Sequence, residues 1–198
     1  MCTPRLLAGF AVIALLRLAS PALAEGDAAS FIAQTGDAVL SLARDQNLSD
    51  QQLKDRLRTI ADQDFDSPRI AQFVLGRHWR SASDAERREF VKAFKAFMVQ
   101  VYATRFRQYS GAIFKVLGQR QDGDSATVST EFEQANGQPP AKVMWQVAKQ
   151  TNGYKITDVS IEGISQAVTY RQELSSVIEQ HGGQVSALTQ ELLQKARD

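Results

Sequence analysis

YKITDVSIEGISQAVTYR, residues Tyr154 to Arg171, changes its hydrophobic period in mid-course. Tyr154 to Ile161 alternates as a strand. After Glu162-Gly163 the apolar residues Ile164, Val168, Leu174, Val177 and Ile178 return at helical spacing. The alternation also slips near Asp158, because Tyr154 and Ile156 fall on one parity and Val159 and Ile161 on the other. A bulge there restores a single apolar face. This one segment therefore hands a sheet over to an amphipathic helix, and its flanks say what the sheet and the helices are made of.

Upstream lies a meander. Ala126, Val128, Thr130 and Phe132 alternate with Ser125, Thr127, Ser129 and Glu131, and Val143, Trp145 and Val147 alternate with Lys142, Met144 and Gln146. Each run is a strand with one apolar side. Ile113 to Leu117 is a shorter apolar strand with Lys115 inside it. Asn136-Gly137-Gln138-Pro139-Pro140 reads as a turn, and Asn152-Gly153 as a hairpin connection.

Before Ile113 the period is helical. Phe31, Ile32, Thr35, Val39 and Leu42 mark a helix from about Ala28 to Asp45, and Ser49 with Gln52 forms a capping-box pair before Leu53, Leu57 and Ile60. Ser67-Pro68 starts a helix, since proline at the first helical position loses no needed hydrogen bond. Gly76 allows close packing or a break. Ser83 with Glu86, a second capping-box pair, introduces the longest helix, about Asp84 to Tyr109. Its stripe of Phe90, Phe94, Phe97, Met98, Val101, Tyr102, Phe106 and Tyr109 holds the chain's largest aromatic concentration. A last helix after His181-Gly182-Gly183 carries Val185, Leu188, Leu192 and Leu193.

Helices, then strands, then helices predict an α+β fold. The expected architecture is a curled antiparallel sheet of about four strands, covered by N- and C-terminal helices, with an apolar pocket between the layers.

The first 24 residues read as a signal peptide: Arg5, the apolar run Leu6 to Leu16, and Ala22-Leu23-Ala24 as a small-x-small cleavage site. Cleavage after Ala24 leaves one exported domain, residues 25–198. Cys2, the one cysteine of the chain, leaves with the leader, so the mature chain has no disulfide and is held by its core alone. Taking Arg5 and Arg17 from the 23 basic residues leaves 21 against 22 acidic ones. A near-neutral surface argues against nucleic acid as a partner.

Little here points to catalysis. Gly163-Ile164-Ser165 sits at a strand-to-helix junction, but Ala167 breaks the nucleophile-elbow pattern Gly-x-Ser-x-Gly, and Ser165 reads as a cap or rim residue. His78 and His181 are isolated, so neither a triad nor a metal site is expected, and no phosphate-binding glycine loop occurs. Asp158 and Glu162 read first as caps of the following helix, with pairing of Glu162 to Arg171 or Arg80 as the alternative. An aromatic helix face is ordinarily core.

Three stretches carry a family resemblance: Phe65-Asp66 followed by Leu75-Gly76-Arg77-His78-Trp79-Arg80; Glu89-Phe90 leading to Tyr102 and Tyr109; and Asp158-Val159-x-Ile161-Glu162-Gly163-Ile164-Ser165, closing with Tyr170-Arg171. In these the chain resembles the MlaC family of periplasmic lipid carriers, also called the toluene-tolerance auxiliary family, including its hopanoid-associated HpnM branch. Gln166 departs from the family's usual apolar residue. The resemblance implies a lipid shuttle rather than an enzyme, without a cofactor. Its cargo would be phospholipid or hopanoid. Its partners would be an inner-membrane ABC-type complex with an MCE component, or another lipid exporter, and an outer-membrane lipoprotein complex.

On that reading the acyl chains lie between sheet and helices. Val128, Phe132, Val143, Trp145 and Val147 form one wall and Phe94, Phe97, Met98, Val101 and Tyr102 the other. Val159, Ile161, Ile164 and Val168 stand near the mouth. An exported enzyme on the same scaffold would have to use Tyr102, Tyr109, Asp158 and Ser165. A non-liganded adaptor would have a filled core.

Overall fold

The computed structural model describes residues 27–134 and 139–197, the side chains of Arg105, Phe106 and Gln108 excepted. The expected leader, its cleavage site and the Asn136–Gln138 part of the turn lie outside the described residues. Side-chain caps set the helix starts. Asp27 accepts from Ser30 N at 2.7 Å and opens α1 (Ala28–Arg44). Ser49 and Gln52 close a reciprocal capping box on α2 (Asp50–Asp64). Asp66 caps α3 (Ser67–Leu75), with Pro68 in its first turn, and Gly76 ends it at φ 59°. After the single turn α4 (His78–Ser81), Ser83 and Glu86 form the second box, on α5 (Asp84–Phe106). The long helix ends in a 3-10 turn, Arg107–Tyr109.

Five antiparallel strands follow in the order β1 (Ile113–Asp122), β2 (Ser125–Glu133), β3 (Ala141–Gln150), β4 (Gly153–Ile161) and β5 (Ile164–Ser165), before α6 (Gln166–Gln180) and α7 (Val185–Lys195). The fold is α+β, as the element order predicts, with the two-residue β5 added at the edge. β1 runs well past Leu117. Its ladder with β2 continues through polar Gln119, Arg120 and Gln121 after a bulge that leaves Leu117 unpaired. Gln119 has a use: its Oε1 accepts from Ala29 N at 2.8 Å, meeting an amide that the first turn of α1 leaves without a helical partner.

The expected bulge lies at Thr157. Gln146 pairs with Asp158 and Val147 with Ile156, so Thr157 is the extra residue. Ile156, Val159 and Ile161 consequently face the same way as Val147, Trp145 and Val143, their ladder partners. The outer edge of β4 is covered rather than open. Phe65 bridges to Ile156, Asp66 N donates to Ile156 O at 2.9 Å, and Lys155 reaches Asp62 O and Gln63 O.

Three separate clusters hold the layers together. At one end of the sheet Ala28, Ala29 and Ile32 of α1 pack on Ala126, Val128, Val147 and Ile156. Ala43, Leu53, Leu57 and Val99 join α1, α2 and α5. Ala71, Val74, Phe90, Phe94, Leu174, Ile178, Leu188 and Leu192 join α3, α5, α6 and α7. Between the three a space is left.

Candidate functional site

That space is a cavity of about 440 Å³, bounded by the inner sheet face, α1, α2, α3, α5 and α6. It falls within the roughly 300–1,000 Å³ typical of ligand pockets. Its rings are set by one another. Tyr109 meets Phe132 edge-on at 5.2 Å, Phe114 meets Trp145 at 6.1 Å, and Phe94 meets Tyr170 at 5.9 Å. Edge-to-face pairs of this kind prefer a defined geometry, which keeps the walls apart rather than collapsed. Trp145 is fixed further, its Nε1 donating to Thr130 Oγ1 at 2.9 Å while that hydroxyl donates to Val143 O at 3.0 Å.

Of the side chains expected from sequence, Phe94, Met98, Tyr102, Phe132, Val143, Trp145, Val159 and Ile161 line the cavity. Val128 and Val147 do not. They lie on the same sheet face but at the end that α1 covers, and both are wholly buried in that packing. Phe97 and Val101 are also absent from the lining, because the face of α5 that meets the space runs through Phe94, Lys95, Met98, Val99 and Tyr102. Phe97 packs instead in the helical core and edge-on to Tyr170 at 6.2 Å. Ile164 and Val168, at the β5–α6 turn, point to solvent with 63% and 42% of their surface exposed.

The sequence reading missed a whole side of the cavity. Thr35, Gly36, Val39 and Leu40 of α1, Leu57, Ile60 and Ala61 of α2, and Tyr170 of α6 all line it. Gly36 was the available signal, a glycine inside a helical pattern marking a close approach. The ring of Phe114 lies against its bare Cα.

Asp158, at the lining, is held in a set of hydrogen bonds. Asp158 Oδ1 accepts from Val159 N at 2.8 Å and Ala167 N at 3.0 Å, and Oδ2 accepts from Ser165 Oγ at 2.5 Å. Ser165 in turn accepts from Val168 N at 3.1 Å. The two together cap α6, the structural role expected of Asp158. Glu162 departs from both of its expected roles. It adopts φ 50° and clamps the turn to β3, accepting from Lys142 N at 2.6 Å while its own N donates to Lys142 O. Thr35 Oγ1 donates to Asp64 at 2.9 Å, and Lys95 pairs with Asp62. Tyr102 leaves 44% of its surface open at the rim, yet burial of its phenol, then proximity to Tyr170, Tyr109 and Asp158, pushes it up, so it stays neutral. Neither histidine lines the space. Among the described residues the lining is mainly apolar, and its carboxylate, Asp158, is engaged in the hydrogen bonds that cap α6.

The sequence model of the MlaC protein family matches residues 33–194. The chain belongs to the MlaC family. Among MlaC relatives, the intermembrane phospholipid transport system binding protein of Haemophilus influenzae is 27% identical over 96 residues, 46% of this chain. The aligned stretch spans 45% of that relative's length, somewhat under half. A phospholipid-binding protein from Ralstonia solanacearum, solved in complex with a phospholipid, superposes with a TM-score of 0.73 at 22% identity. The superposition covers 86% of this chain and 97% of that one, which shows that the two share the MlaC fold.

Proposed function

We propose that this chain is a periplasmic lipid-binding shuttle, made with a leader that is removed after Ala24 and acting as a single domain over residues 25–198. It carries a phospholipid or a hopanoid-type lipid between an inner-membrane ABC-type complex, with an MCE component, and an outer-membrane lipoprotein complex. The observation that carries this reading is an apolar cavity left open between three closed packing clusters. The Haemophilus relative's role in phospholipid transport and the phospholipid bound by the Ralstonia protein support it.

The chemistry of the task matches the lining. Each methylene left in water costs about 0.8 kcal/mol, so the roughly thirty of a two-chain lipid set a barrier above ~20 kcal/mol for free transfer. A carrier removes that barrier by enclosing the tails, which takes apolar surface and neither charge nor catalyst. The polar residues that an enzyme would need, Asp158 and Ser165, are committed to capping α6. This supports a binding role over an enzymatic one.

Native mass spectrometry of the protein purified from a bacterial periplasm, followed by lipid extraction, tests the proposal. One lipid per chain is expected, and its identity assigns the cargo class. An apo mass that persists after incubation with both phospholipid and hopanoid would overturn it.

A further inference from the structure

The α3–α6 pair has two sides. Ile70 of α3 and Tyr170 of α6 face the cavity. Their neighbours Arg69, Phe73 and Arg171 face outward into a second concavity of about 480 Å³, completed by Arg77, Trp79 and Arg80. This groove is cationic on a chain whose 23 basic and 22 acidic residues nearly cancel. Arg77 pairs with Glu179 at 2.5 Å, but among the described residues no carboxylate lies within ion-pair distance of Arg69, Arg80 or Arg171. Like charges gathered without counter-charges are unfavourable unless an occupant supplies them.

The groove is also shaped in advance. The Arg171 guanidinium lies 4.9 Å from the centroid of the Phe73 ring. It runs across Gly76, where a β-carbon would come within 3.2–3.3 Å of its guanidinium atoms. The absence of a side chain at residue 76 therefore leaves the cation room to lie flat, stacked and oriented. Arg87 holds the groove's other aromatic in the same manner, 5.5 Å from the Trp79 ring while donating to Trp79 O at 2.8 Å.

We infer that this groove is a docking site for an acidic segment of a partner protein, with carboxylates on the guanidiniums and an apolar side chain against Phe73. Guanidinium forks match carboxylate geometry in two-point contacts. The guanidiniums share the groove with two aromatic rings, Phe73 and Trp79, a mixture that suits the alternating side chains of a peptide. Phe73, 41% exposed, supplies the apolar contact that a purely ionic surface would lack. The site is separate from the lipid cavity and stands whether or not lipid is the cargo.

The probe is a fluorescein-labelled pentapeptide of two aspartates, one phenylalanine and two glutamates, followed by anisotropy against the full mature protein at low and high salt. Binding that weakens with salt is expected. The Arg69→Ala/Arg80→Ala variant should weaken it by about tenfold or more, a change of ~1.4 kcal/mol. The Lys142→Ala/Lys149→Ala variant, with charge removed from the sheet instead, should not. Nuclear magnetic resonance of the unaltered protein gives an independent readout, with the Trp79 indole N–H expected to shift on peptide addition. No peptide binding, equal loss in both double variants, or binding only to phosphatidylglycerol vesicles would each overturn the assignment.

Discussion

At Gly36 helix propensity and tertiary packing pull in opposite directions. Alanine would favour the helix by about 1 kcal/mol. Its β-carbon would strike Cε1 and Cδ1 of Phe114, whose ring is held edge-on by Trp145. The ring has to leave that pair and enter the cavity. Gly36→Ala is therefore expected to lower stability by roughly 1–3 kcal/mol, the usual cost of overpacking, and to reduce lipid occupancy together with it. Urea denaturation and lipid quantification on the same preparation check both. A glycine in a helical run announces that something comes close, but the sequence cannot say that the something is a ring from a strand about eighty residues on, so the α1 wall of the cavity was illegible. The caps were legible because they are local. Ser49 with Gln52 and Ser83 with Glu86 satisfy amides within a single turn, whatever the rest of the chain does.

The long helix α5 shows where patterning runs out at the scale of an element. Its apolar stripe wraps far enough to serve the helical core through Phe90 and Phe97 and the cavity through Met98 and Tyr102. A 3.6-residue period marks an apolar arc without saying which part meets packed neighbours and which meets space. Strand parity has the same limit. It put Val128 and Val147 on the inner face, and only the docking of α1 decides that their end is filled. A paired experiment separates the two kinds of position: Val143→Asp, in the lining, should abolish lipid retention, whereas Val168→Asp, at an exposed position, should leave it unchanged. The N-terminus of α5 has its own pH signature. Hydrogen bonds from the backbone N–H of Ser83 and then its hydroxyl hold Glu86 below its ordinary 4.5. A carboxylate held down stabilises the fold above its unfolded value, and that contribution is lost as pH falls through the lowered folded one. Glu86→Gln keeps the capping geometry without the charge. Its stability deficit, measured by denaturant titration, should be present at pH 7 and close progressively below about pH 4.5.

For the whole molecule, the three packing clusters close around a space none of them fills, so on the proposed carrier reading a bound lipid would add to the stability of that interior. Binding that favours the folded state adds RT ln(1 + [L]/Kd), about 2.7 kcal/mol at a hundredfold excess over Kd. Delipidated protein should unfold at a lower temperature than loaded protein, and added lipid should restore the difference. Calorimetry of matched samples reads this directly.

The bulge at Thr157 has a consequence beyond facing. A β4 strand lacking Thr157 would alternate without interruption and still turn Ile156, Val159 and Ile161 inward. The extra residue is therefore superfluous to the apolar pattern, and its effect lies in bending the strand. Asp158, next to the bulge and paired across the ladder with Gln146, is the residue that reaches Ser165 and Ala167 at the start of α6. Deleting Thr157 should give a folded sheet with a loosened α6, seen as faster amide exchange along α6 and loss of bound lipid. In this fold a single surplus residue in a strand serves as the hinge pin by which the sheet holds its cover.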